Sequence, residues 1–140
     1  MSKNIKNTGQ CLCGAVTIHA KSMSTDVGAC HCEMCRKWAG APYLSVDCKD
    51  SVEFEGTENI KIYNSSEWAE RGFCSECGTH LFYHLKKNNQ YIVPIGLFDN
   101  QKELNFDHEI FIDSKPDYYS FKNETHKMTG AQVFAMFSEE

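Results

Sequence analysis

Short runs in which apolar and polar residues alternate, or apolar residues simply gather, recur at positions 15–20, 43–48, 52–54, 60–63, 80–85, 91–98 and 108–112. A period of two puts every second side chain on one face, so these runs predict β-strands. The breaks between them carry turn chemistry, as in Lys49-Asp50-Ser51, Glu55-Gly56, Asn64-Ser65-Ser66, Lys87-Asn88-Asn89 and Asp99-Asn100. Strands this short, broken this often, predict a mainly β fold with mostly antiparallel pairing. Helix is predicted only at 33–39 and at 131–137, where Val133, Phe134 and Phe137 form one apolar face. No repeat or low-complexity segment interrupts the pattern.

Composition adds bounds to this picture. Residues 1–140 contain no Pro/Gly/Ser-rich linker and read as a single domain, and 41% hydrophobic with 12% aromatic residues supplies a core that need not rest wholly on metal. No apolar run approaches the roughly 20 residues that span a bilayer, and the first ten residues are polar. A cytosolic protein with no membrane partner is expected. The net charge is −5 and the Lys and Arg residues are scattered, which argues against nucleic acid as a partner. Oligomeric state is not written in the chain.

Eight cysteines in a reducing compartment read as metal ligands rather than a disulfide scaffold. Seven fall in three groups: Cys11-Leu12-Cys13-Gly14, Cys30-His31-Cys32-Glu33-Met34-Cys35 and Cys74-Ser75-Glu76-Cys77-Gly78. In an extended strand residues i and i+2 face one side, so Cys11 and Cys13 can present two thiols together. Cys74 and Cys77 have zinc-knuckle spacing, with Gly78 free to follow the second thiolate closely. Two such pairs make a closed tetrahedral site. Cys30, Cys32 and Cys35 can wrap a second ion and leave its fourth position for water or substrate. Spacing also permits Cys11, Cys13, Cys30 and Cys32 to share one ion, or His31, Glu33 or Cys48 to close the triplet.

The remaining chemistry-bearing residues have plainer readings. Cys48 lies in a strand-like run and reads as a buried, inert thiol. His19, His80, His84, His108 and His126 lack ligand spacing. Trp38, Tyr43, Phe73, Phe82 and Tyr83 flank the cysteine groups and either pack the core or wall a pocket.

Three segments together, Gly9-Gln10-Cys11-Leu12-Cys13-Gly14-Ala15-Val16, Cys30-His31-Cys32-Glu33-Met34-Cys35-Arg36-Lys37 with Gly40-Ala41-Pro42-Tyr43, and Gly72-Phe73-Cys74-Ser75-Glu76-Cys77-Gly78-Thr79, resemble the glutathione-dependent formaldehyde-activating enzyme family, which also includes centromere protein V. A weaker likeness continues from Gly96 through His108, Ile110 and Ser114-Lys115. Tyr118-Tyr119 departs from the Trp-centred ending expected there. The resemblance implies several coiled antiparallel β-sheets around zinc sites, similar to the Rab guanine-nucleotide release factor and methionine-R-sulfoxide reductase folds. It implies two zinc ions: a structural one on Cys11, Cys13, Cys74 and Cys77, and a catalytic one on Cys30, Cys32 and Cys35. The implied activity is condensation of glutathione with formaldehyde to S-hydroxymethylglutathione, a carbon–sulfur lyase reaction written in reverse.

On that reading a thiol takes the open metal position and attacks a carbonyl carbon, with Arg36 and Lys37 as candidate partners for glutathione carboxylates. A non-catalytic zinc scaffold that binds a protein partner is the alternative. Sulfoxide reduction would need a reactive thiol outside the zinc sites, for which only Cys48 is available.

Overall fold

The computed structural model describes residues 3–138, without the side chains of Phe137 and Ser138, so the predicted place of Phe137 on a helix face lies outside the described residues. The elements run β1 (Asn4–Gln10), β2 (Thr17–Ser24), β3 (Asp26–Cys30), α1 (Glu33–Ala39), β4 (Tyr43–Asp47), β5 (Val52–Glu55), β6 (Ile60–Tyr63), β7 (Ala69–Cys74), β8 (His80–Leu85), β9 (Gln90–Pro94), β10 (Asn105–Ile110), β11 (His126–Met128) and α2 (Gly130–Ser138). Three strands form a small sheet in the order β1-β2-β5. Eight form a larger one in the order β11-β10-β3-β4-β9-β8-β7-β6.

The mainly β class holds, but the pairing is mixed. β10 runs parallel to both β3 and β11, while the other ladders are antiparallel. Hairpin turns join antiparallel neighbours; a parallel pair needs a long crossover, and here most of the chain intervenes between β3 and β10.

The small sheet packs Ile18, Ala20 and Met23 of β2 against Val46, Leu81, Phe82, Val93 and Phe98, and this is the main core. Phe54, Phe82 and Tyr91 meet edge-on or tilted within it, with ring centres 5.2–5.9 Å apart. A second, smaller cluster gathers Cys30, Cys35 and Tyr43 with Trp38, Tyr83, Ile92 and Ile110. The main core fixes the two sheets, and the second cluster surrounds the cysteine triplet.

Candidate metal centres

The loop after β1 carries Cys11 and Cys13, and the β7–β8 turn brings Cys74 and Cys77 beside them. All four sulfurs lie within 4.8 Å of one another. Cys11 and Cys13 are 3.6 Å apart and Cys13 and Cys74 are 3.8 Å apart, whereas a bonded disulfide is about 2.05 Å and the edge of a Zn–S tetrahedron is about 3.8 Å. Nearby donors suit thiolates: Val16 N–H donates to Cys11 Sγ at 3.3 Å and Glu76 N–H to Cys74 Sγ at 3.4 Å. The Thr79 hydroxyl, 3.1 Å away, and the backbone N–H groups of Thr79 and Cys13 bring the Cys77 thiol down to about 5. Gly14 and Gly78, each just past its pair, have φ of +83° and +77°, conformations that a side chain would strain. The donor set fits an ion enclosed by four thiolates, and it ties the small sheet's loop to the large sheet's hairpin.

The second group is local in sequence. Cys30 ends β3, Cys32 caps α1, and Cys35 lies in its first turn, with the three sulfurs within 4.8 Å. Cys32 Sγ accepts the Cys35 N–H at 3.3 Å, so the side chain that caps the helix is also a candidate ligand. Protons are unevenly held here. The Cys30 and Cys35 thiols, with the Cys35 N–H and the charge of Arg71, bring Cys32 down to about 2 despite burial. Cys30 is pushed up by Cys32, by Cys35 and by burial. One thiol therefore ionises readily, and a cation is needed to strip the rest.

Arg71 on β7 supplies an independent sign of negative charge. It is 3% exposed, its guanidinium lies 4.9 Å from the Trp38 ring centre and 4.7 Å from that of Tyr83, and Nη2 donates to Cys35 Sγ at 3.6 Å. Among the described residues no carboxylate pairs with it. A cation this deep is costly without a counter-charge. Three thiolates on a divalent ion carry one net negative charge, which Arg71 balances, so the triplet also fits a metal.

Behind the triplet, His31 points away from it. Its Nδ1 is 2.7 Å from the Tyr119 hydroxyl and its Nε2 2.8 Å from Glu109 Oε1, while Glu109 Oε2 accepts from Thr125 at 2.5 Å. Both His31 and Glu109 are almost wholly buried. Burial alone would raise the Glu109 carboxyl, but hydrogen bonds from Thr125 and His31 hold it below the usual glutamate value of 4.5. Its contribution to stability is thus full above that value and lost as pH falls through the lowered one. Glu109→Gln is expected to lower unfolding free energy by about 1–3 kcal/mol at pH 7. The difference from the parent should shrink below pH 4.5, as measured by urea unfolding at several pH values.

Other expected contacts are placed differently. Arg36 Nε donates to the His31 carbonyl at 2.9 Å and so holds the cysteine loop, and Lys37 pairs with Glu33 at 3.3 Å on the surface. Neither is held ready for a glutathione carboxylate. Tyr119 seals His31, whereas its neighbour Tyr118 is exposed. Cys48 lies in the main core, outside both sulfur groups, and burial pushes its thiol up to about 12, which leaves it un-ionised at neutral pH and unsuited to sulfoxide reduction. Trp38 and Tyr43 pack around the triplet, while Phe82 joins the main core. Glu109 carried no sequence signal beyond charge inside the strand-like run 108–112, and Arg71 lay in no predicted run. An Arg three residues before a cysteine pair is the one clue that was there.

The triplet opens on a groove of about 940 Å³ with mainly apolar walls, among them Tyr83, Ile92, Ile110, Phe111 and Phe134. Phe111 is held at φ +55°, with its ring 5.7 Å from that of Phe134 on α2. No helix among the described residues is long and apolar enough to cross a membrane.

Residues 6–114 match the family described as glutathione-dependent formaldehyde-activating enzyme. A Schizosaccharomyces pombe protein, named only as an uncharacterized lyase, is 36% identical over 126 residues, covering 89% of this chain and 92% of its own. A Podospora anserina protein, provisionally named a glutathione-dependent formaldehyde-activating enzyme, is 32% identical over 90 residues, covering 60% of this chain and 42% of its own. The crystal structure of a Rhodobacter sphaeroides protein superposes with a TM-score of 0.58 at 24% identity, covering 66% of this chain and 88% of that one, and supports the fold.

Proposed function

Because the chain belongs to the glutathione-dependent formaldehyde-activating enzyme family, we propose that it is a cytosolic zinc enzyme of the carbon–sulfur lyase type, which joins glutathione or a similar thiol to formaldehyde or a related aldehyde. Residues 1–140 form its one zinc-binding domain. Cys11, Cys13, Cys74 and Cys77 hold a structural ion, and Cys30, Cys32 and Cys35 hold the ion at which chemistry occurs.

The observation that carries this reading is the incomplete ligand set beside the groove. Among the described residues, no fourth His, Cys, Asp or Glu ligand atom joins Cys30, Cys32 and Cys35. His31 is engaged by Glu109 and Tyr119, Glu33 by Lys37, and Cys48 lies in the main core. Zinc on three thiolates would keep an incoming fourth thiol deprotonated at neutral pH.

The chain's own residues then set the surroundings. Arg71 offsets the charge of the crowded sulfurs, and the capped first turn of α1 fixes Cys32 and Cys35 relative to each other. The apolar groove walls exclude water from the nucleophile. In the reaction a sulfur–carbon bond forms, the carbonyl π pair moves to oxygen, and the proton lost by the thiol ends on that oxygen as a hydroxyl.

Native mass spectrometry of the freshly purified, zinc-supplemented protein tests this. Two zinc ions and a glutathione adduct are expected. Two zinc ions with no adduct from millimolar glutathione or from other small thiols would point to a metal scaffold and overturn the enzymatic reading.

A further inference from the structure

Formaldehyde has only two non-hydrogen atoms, yet the groove beside Cys30, Cys32 and Cys35 encloses about 940 Å³, the scale of a site for a much larger molecule. The walls are predominantly apolar, and the charged side chains in the lining are of both signs, Asp26, Glu33 and Asp47 against Arg71 and Lys87. Three large apolar side chains at the groove, Met34, Trp68 and Phe134, are 41%, 51% and 57% exposed, although such groups gain by being covered.

Among the described residues, one buried polar atom of a groove-lining residue has no hydrogen-bond partner. The buried side-chain atoms without a partner among the described residues are Ser65 Oγ, Ser66 Oγ and Arg71 Nη1, and of these only Arg71 lines the groove. Its Nη2 is taken by Cys35, and the rings of Trp38 and Tyr83 hold the guanidinium in place. A buried, unsatisfied donor is costly, and an incoming oxygen would satisfy it.

From these observations, and resting on the thiol–aldehyde reading above, we propose that the groove binds the apolar body of a hydrophobic aldehyde, with the aldehyde oxygen accepting from Arg71 Nη1. Arg71 is then a catalytic residue as well as a counter-charge. As the thiolate sulfur bonds to the carbonyl carbon, the π pair collects on oxygen facing Arg71, and the oxygen takes the proton released by the thiol. No oxidant or reductant is needed. Unbranched aldehydes of about six to ten carbons are the class that combines an apolar body with a single carbonyl oxygen.

The test separates the groove from the chemistry by using probes that cannot react. Unbranched primary amides from acetamide to octanamide, which share the carbonyl oxygen and the chain, are titrated into the zinc-loaded protein by calorimetry without any thiol. Affinity is expected to rise about four-fold per added methylene until the chain is buried. Phe134→Ala, at a position 57% exposed, is expected to flatten that slope at the longer chains. Arg71→Lys is expected to weaken every member by a similar factor of about ten while leaving the slope intact, a split that a merely structural role would not produce. A flat series, or a slope that Phe134→Ala leaves unchanged, overturns the proposal even where glutathione and formaldehyde still react. Chain-length-dependent binding without thiol–aldehyde turnover would sustain the groove and sink the enzymatic reading.

Discussion

Cys74→Ser is expected to lower the melting temperature by about 10–20 °C, with loss of one of two zinc ions, or to prevent folding altogether. Cys74 is 0% exposed, and its sulfur belongs to the main core as well as to the four-cysteine group. Serine offers a harder oxygen that is a weaker zinc ligand, and it leaves a buried hydroxyl among apolar neighbours. In small zinc domains the free energy of metal binding, about 10–16 kcal/mol, is folding free energy. Here the apolar core retains part of the structure, so the loss should be about 5 kcal/mol rather than the whole. Thermal unfolding combined with metal analysis decides it. A variant that holds one ion and melts like the parent would remove the structural role of this site.

Cys32→Ser should act in the opposite way, with small effect on the fold and a large one on chemistry. Serine is a good N-cap, and its hydroxyl can accept the Cys35 N–H that Cys32 Sγ now accepts at 3.3 Å, so α1 keeps its start. The triplet, however, falls to two thiolates. One zinc ion, the glutathione adduct and the acceleration of hemithioacetal formation should all be lost, the last by about a thousand-fold or to the uncatalysed background. The melting temperature should move by only about 5 °C. Thiol and aldehyde combine unaided, so the rate must be read above a protein-free control. Unchanged turnover in a variant with one ion would move the chemistry away from Cys30, Cys32 and Cys35.

What could be read from the chain, and what could not, follows from where the information lies. The helix at Glu33–Ala39 and the strands Ile60–Tyr63 and His80–Leu85 match their predicted bounds, because a local period of apolar residues marks them. β1 was missed because its sequence, NIKNTGQ, is polar along most of its length, and it even buries Asn7, whose amide bonds the Asn100 carbonyl. β3 is short, has Gly28 at its centre where His108 leans across, and is buried at four successive positions, so it shows no alternation. β7 holds Arg71 inward, and a charge inside a strand reads as solvent-facing until its partners are known. The parallel pairing of β10 leaves no mark on a local window at all. At the metal centres, spacing alone left the grouping of the seven cysteines open. The folded chain brings the sulfurs together as four and three, and it turns His31 and Glu33 to other partners. Arg71, which touches the triplet, and Glu109 and Tyr119, which engage His31 behind it, come from distant elements and are visible only once the sheets are assembled.

The two sulfur groups also differ in when they can exist. Cys30, Cys32 and Cys35 need one turn of chain to converge, whereas Cys13 and Cys74 lie 61 residues apart and meet only after the small sheet has docked on the large one. Closing that longer loop costs about 2 kcal/mol more in chain entropy than closing the triplet. If both groups bind metal as proposed, the triplet can take an ion before the four distant cysteines have met, and the four-cysteine centre follows once the sheets have docked. Metal scarcity would then leave chains with the triplet filled and the four-cysteine group empty.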